Sequence, residues 1–164
     1  MKSRAALGSH PIHPMLVPIP IGAFLIALVA DVMFTLKPEH RFWYDVGFLC
    51  IPIGIGFALL SAIFGVVDYF GVRMSSRALK TATWHGGLNL LMVALYATSF
   101  WLRRGGAAML PTRWPAALTL SATGFLLVVV TGWLGGKLVY EHHVAVSERP
   151  MRIAGRAEPE RAVS

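Results

Sequence analysis

The sequence has a single cysteine, Cys50, set inside an apolar stretch, so no intramolecular disulfide can form. A buried free thiol behaves as a small hydrophobe. Charge is scarce as well. Asp, Glu, Lys and Arg make up 14% of the chain, against roughly 25% in soluble domains. Acidic residues are the scarcer sign, 8 against 15 basic, which leaves a formal net charge of +7. There is no GxxxxGK[ST] loop to cradle phosphate, no HExxH pair, no Ser-His-Asp order and no carboxylate pair suited to glycoside chemistry. A nucleic-acid role is excluded by placement. The basic residues sit in the gaps between apolar runs and in the tail, as membrane topology places them, rather than on one amphipathic surface.

What is present is apolar. The 164 residues are 55% hydrophobic, the composition of a membrane protein. A span needs ~20 mostly apolar residues. Four segments meet that length: Pro14–Leu36, Val46–Val72, Trp84–Leu102 and Ala116–Tyr140. The reading is therefore an all-α, integral membrane four-helix bundle over residues 1–146, with a disordered basic tail over 147–164. The connections KPEHRFWYD, RMSSRALKTAT and RRGGAAMLPTRWP read as short loops. The first apolar run is longer than a signal h-region, carries Asp31 and has no small-residue cleavage pattern after it, so it is expected to be retained.

Four spans put both termini on one side of the membrane. That side carries Lys2, Arg4, Arg73, Arg77, Lys80, Lys137, Arg149, Arg152, Arg156 and Arg161, against Lys37, Arg41, Arg103, Arg104 and Arg113 on the other. The positive-inside rule makes the richer side cytoplasmic, in a multi-pass membrane protein. Trp43, Tyr44, Trp101 and Trp114 mark the far boundary, while Tyr69, Trp84, Trp133 and Tyr140 mark the near one, as interface anchors. The lipid bilayer is the first partner, and a homo-oligomer is left open.

The stretch SHPIHPM, ahead of the first span, poses the chemical question. Its prolines fix how the chain enters the helix, since proline in a first turn removes an N–H that is unpaired anyway. His10 falls in the approach and His13 nearer the helix. His85 opens the third span at the same side, with Asn89 one turn deeper on the same face. Asp68 ends the second span and Glu141, His142 and His143 end the fourth, so five of six histidines gather at one side. Asp68 and His85 lie about a turn inside the hydrocarbon boundary. Ionisable groups there are costly and mark sites, although an Asp68–His85 hydrogen bond between helices would also explain them. Gly86, Gly87, Gly132, Gly135 and Gly136 line the same region, with Gly132 and Gly136 as a small-xxx-small pair for close helix approach or a flat cofactor. Asp31, near the far side, is expected to pair with Arg41, Arg103 or Arg104 in a structural role. Lys137 is expected to snorkel, or to pair with Glu141 one turn on.

Together HPIHPMLVPIPIGAF, FGVVDYF, HGGLNL and GWLGGKLVYEH, spanning Ser9 to His142, resemble the bacterial membrane proteins grouped as domain of unknown function 2231. The resemblance implies a four-helix membrane domain with no established activity. Some members are joined to Rieske-type iron–sulfur domains, which hints at electron transfer. A Rieske centre needs Cys and His pairs, which Cys50 alone cannot supply, so an iron–sulfur or other redox partner would be a separate protein.

Three functions are open. The first is a haem or metal-binding redox and electron-transfer component, with His13, His85 and His142 as cofactor-binding candidates for haem b. Its histidines lie nearer the membrane edge than in familiar two-haem cytochromes. The second is a non-haem iron or zinc site built from His10, His13, Asp68, His85 and Glu141, supported by Asn89, Gly86 and Gly135. The third is a structural or assembly subunit with no cofactor, in which the same residues tie helices together. No catalytic residue is assigned, and four short helices leave little room for a pore.

Overall fold

A computed structural model describes residues 3–8, 10–104 and 110–146; the expected tail at 147–164 lies outside the described residues. The chain begins with a small antiparallel ladder, β1 (Ala6–Leu7) on β2 (His10–Pro11). A short helix α1 (Ile12–Leu16) follows, and then four long ones: α2 (Pro18–Leu36), α3 (Arg41–Gly71), α4 (Ser76–Arg103) and α5 (Leu110–Tyr140). The ladder is the one element the hydrophobic pattern did not announce, because two residues per strand leave no period to read.

α1 and α2 form one nearly continuous rod. The break falls at Val17, ahead of Pro18, whose missing N–H removes a helical bond and whose fixed φ suits a first turn. The long helices extend beyond the expected spans. α3 starts within KPEHRFWYD, α4 takes in SRALKTAT, and α5 takes in LPTRWP from the third connection. Apolar composition locates the hydrocarbon region, whereas helical hydrogen bonding continues past it into the headgroup layer. Pro52 and Pro115 sit inside α3 and α5.

Three stretches are long and apolar enough to cross a membrane: Ile12–Leu36, Arg41–Gly71 and Thr112–Tyr140. α4 has 28 residues, or about 42 Å at ~1.5 Å per residue, but falls short on composition. The deficit comes from His85, Asn89, Ser99 and Arg103, none of which is an exposed position.

α2 packs on α3 and α4 on α5, giving two helical hairpins, which meet along narrower α3–α4 and α2–α5 contacts. The core between them is Phe24, Ala27, Ile51, Met92, Tyr96 and Val128. Phe24 and Tyr96 stack with ring centroids 3.8 Å apart and planes 11° from parallel. Gly54 and Gly124 permit it: an added Cβ would lie 2.6 Å from Phe24 Cε1 at the first and 2.8 Å from Tyr96 Cε2 at the second.

Candidate functional site

The polar residues divide between the two ends of the bundle. At the end farther from the chain's start, Asp31 of α2 meets Arg103 of α4, both fully buried. Arg103 Nη1 donates to Asp31 Oδ1 and Nη2 to Asp31 Oδ2, each at 2.6 Å. Nη2 also donates to Ser121 Oγ of α5 at 2.9 Å and to Ser99 Oγ at 3.2 Å. Ser99 in turn donates to the Ala117 carbonyl at 2.7 Å, and Tyr44 Oη of α3 donates to the Arg103 carbonyl at 2.6 Å. The Trp114 ring lies 4.9 Å from the guanidinium carbon. An anchor at the interface is thus also a lid over a cation. Gly47 leaves the room required, since a Cβ there would come within 2.8 Å of Asp31 Oδ1. All four long helices contribute, and the expected pairing of Asp31 selects Arg103 of the three candidates. Nearby, Tyr96 Oη is buried with no partner among the described residues.

The other end is built differently. His13 of α1 and His85 of α4 face each other across the two hairpins, with ring centroids 6.2 Å apart and planes crossed at 82°. Each ring is fastened through Nδ1 to a backbone carbonyl of its own hairpin partner. His13 Nδ1 lies 2.8 Å from the Ser61 carbonyl of α3, and His85 Nδ1 lies 3.0 Å from the Thr131 carbonyl of α5. A carbonyl oxygen only accepts, so Nδ1 carries the proton in both rings, and in the neutral form each Nε2 keeps its lone pair. Ser61 Oγ adds a second contact to His13 Nδ1 at 3.0 Å and donates to the His13 carbonyl at 3.3 Å. Asn89 Nδ2 donates to the His85 carbonyl at 2.8 Å and lies 3.3 Å from His85 Nε2. Small residues back both rings: an added Cβ would sit 3.1 Å from His13 Nδ1 at Gly65 and 3.2 Å from His85 Cε1 at Gly135.

The remaining expected site residues are distributed around this pair. Asp68 does not bridge to His85; its carboxylate is taken up by Ser3, Arg4 and Ala5 of the amino-terminal hairpin. The alternative Asp68–His85 bond is not formed, since the carboxylate accepts instead from the Ser3 hydroxyl and the Arg4 and Ala5 amides. His10 is exposed and pairs with Leu7 in the ladder. Glu141 meets Lys137 at 3.5 Å, the expected pair one turn apart. His142 Nε2 lies 3.4 Å from Thr81 Oγ1, one turn along α4 from His85 toward the chain's start, and His143 is exposed with φ +51°. Among the described residues no three His, Cys, Asp or Glu side chains gather as a metal-binding group. Gly132 and Gly136 do not bring another helix close: a Cβ on the first meets nothing, and on the second meets only Tyr140 of α5 itself. Gly86 likewise faces open space. Among the described residues the small-xxx-small pair therefore makes no close helix contact, and Gly135 between them is the glycine that backs the His85 ring.

Sequence reasoning missed Ser61 and Thr131, whose role lies in backbone carbonyls that no side-chain pattern exposes. It also missed Ser99 and Ser121, although Ser99 one turn before Arg103 on α4 is a readable signal.

Against known proteins, the family model described as predicted membrane protein, domain of unknown function 2231, matches residues 9–148. A curated relative, phosphatidylglycerol–prolipoprotein diacylglyceryl transferase of Mycobacteroides abscessus, is 29% identical over 132 residues, 72% of this chain. The chain spans 37% of that relative's length. No solved structure matches.

Proposed function

The chain belongs to that family of predicted membrane proteins, and on this footing we propose that it is an electron-transfer component of a bacterial inner membrane, in which His13 and His85 would hold a haem b. The observation that carries the reading is the pair of crossed imidazoles, one on each hairpin, each tied through Nδ1 to a carbonyl. Metal-ligating histidines are oriented in this way, with the far nitrogen held by a carbonyl or carboxylate and the near one presented to the metal. Two imidazoles held on one metal by bonds of ~2 Å stand close together, and these two rings are neighbours with centroids 6.2 Å apart.

The same count favours haem over a bare ion. Zinc takes at least three protein ligands, and among the described residues no such group forms. A porphyrin brings four nitrogens of its own and asks the protein for two. If His13 and His85 both held the iron, no position on it would be left for a substrate, and the group would supply electron transfer rather than oxygen binding. The donor or acceptor would be a separate redox protein. A ligand at His85 Nε2 replaces the long Asn89 contact there, while the firmer bond from Asn89 to the His85 carbonyl stays.

The bundle is read with four spans. Of the polar groups of α4, His85, Asn89, Ser99 and Arg103 are not exposed, whereas Trp84, Leu90, Leu91 and Trp101 are exposed and apolar, as lipid contact requires. The basic excess at the end holding the start of the chain supports reading that end as cytoplasmic.

The test is the absorption spectrum of detergent-purified chain from haem-replete cells. A Soret band at one haem per chain, a sharp band on reduction and no change under carbon monoxide are expected. A reduced spectrum that carbon monoxide alters would mean an open axial position and oppose electron transfer alone. A chain with no haem band would leave the structural-subunit reading in its place.

A further inference from the structure

The carboxylate of Asp68 is buried, 8% exposed, near the end of α3. It carries four contacts, all of them donors to it. Ser3 Oγ lies 2.8 Å from Oδ1 and 2.7 Å from Oδ2; the Arg4 and Ala5 amides donate to Oδ1 at 2.7 and 3.1 Å. An ionised carboxylate accepts only, and matches such a set with charge-assisted bonds. The neighbouring guanidinium goes elsewhere: Arg4 Nε donates to the Gly71 carbonyl at 3.1 Å. What the carboxylate grips is thus a stretch of backbone, and that stretch leads to His13.

The path is short. Ala5 is held by Asp68 through its amide, and its carbonyl accepts from the Ile12 amide at 2.9 Å. Ile12 is the first residue of α1, and His13 is the second. The intervening chain is folded back by the β1–β2 ladder, with Gly8 at φ +63°, a conformation that a side chain would strain. His13 then returns to α3 through Ser61, seven residues before Asp68. The circuit runs from α3 at Asp68 through Ala5, Ile12 and His13 back to α3 at Ser61. Both of its ends stand on one rigid helix, about 10 Å apart along the axis. α1 has only five residues and no buried ones, and its far end runs on into α2, so the clasp is what holds its free end at His13.

We infer that Asp68 is a positioning residue for His13: by clasping the amino-terminal hairpin it holds α1, and with it the imidazole, in register with His85. The inference rests on His13 being a ligand, and it deepens that reading by assigning the control of the site to a strap. Opening the clasp frees one imidazole of the pair and leaves the other in place.

The experiment uses full-length chain in detergent, with two readouts. In the haem-free chain, the carbethoxylation rates of His13 and His85 are followed by mass spectrometry; in titrations, hemin affinity is measured. Asp68→Ala is expected to raise the His13 rate severalfold and leave His85 within about twofold. Hemin affinity should fall about 10- to 100-fold, the usual cost of losing a partner that orients a ligand. Asp68→Asn, whose carbonyl oxygen still accepts from the two amides, should restore both to within about threefold of wild type. Should Asp68→Ala fail to fold, Ser3→Ala, which leaves both amide bonds, should give a change of the same sign and about two- to threefold. Equal acceleration at His13 and His85, or none at either, overturns the inference. If wild type binds no hemin, the haem reading fails, and the two carbethoxylation rates still decide whether Asp68 positions His13.

Discussion

The two ends of this bundle solve opposite problems with similar materials. At the far end, Asp31 and Arg103 are completely buried, but every charge is matched, by two bonds between them and further ones to Ser99 and Ser121. At the near end, His13 and His85 approach each other without joining; each ring is secured through Nδ1 to a backbone carbonyl, and His85 Nε2 has a long contact to Asn89 Nδ2. The first arrangement is complete in itself and locks the hairpins together. The second is a pair of neighbouring imidazoles, each tied to its own hairpin. A polar group inside a membrane marks function only when its valences are not already used by the protein.

The largest effect should come from breaking the locked end. Arg103→Leu strands the Asp31 charge in the bundle, at a cost of about 3–5 kcal/mol, and thermal unfolding in detergent should show it. The double variant Asp31→Leu with Arg103→Leu should recover most of that loss, because an apolar pair often replaces a buried ion pair without penalty. If the single change alters stability by less than about 0.5 kcal/mol, that end is not the lock. Next in size is Gly47→Ala, whose Cβ would press on Asp31 Oδ1 at 2.8 Å. Overpacking there should cost about 1–3 kcal/mol in the same measurement.

At the open end the matching substitution is milder. Gly135→Ala puts a Cβ 3.2 Å from His85 Cε1, against a ring that can tilt. Stability should move by less than about 1 kcal/mol, while the absorption maximum of the reduced haem shifts; an unshifted spectrum would remove Gly135 from the site. The smallest effect is expected at Tyr96, whose hydroxyl has no partner among the described residues. Tyr96→Phe should leave the melting temperature unchanged or raise it, since the phenyl stack on Phe24 survives. A loss above about 1 kcal/mol would show that the hydroxyl holds a buried guest.

Much of this contrast is legible in the sequence, and the part that is not has a physical cause. Apolar runs of ~20 residues announce membrane helices, and the charge of Asp31 inside one demands a basic partner. The pairing of His13 with His85 follows from counting spans, because an even number of crossings brings those helix ends to one side. The grip of Asp68 on the start of the chain was not legible, because a side-chain reading looks for side-chain partners, and two of its bonds come from the amides of Arg4 and Ala5. Gly132 and Gly136 illustrate the same limit: the spacing is that of a helix contact, but the face they share meets no neighbouring helix. Periodicity tells which residues share a face, and only the packing tells what that face meets.

The most direct test compares the two ends within one set of samples, measuring haem bound per folded chain beside thermal unfolding. Wild type should carry one haem, and His13→Ala and His85→Ala less than a tenth each. Both histidine variants should lose only about 1 kcal/mol in the haem-free state, the worth of one hydrogen bond, and far less than Arg103→Leu. Haem absent from wild type, or equal in wild type and both histidine variants, would contradict the account.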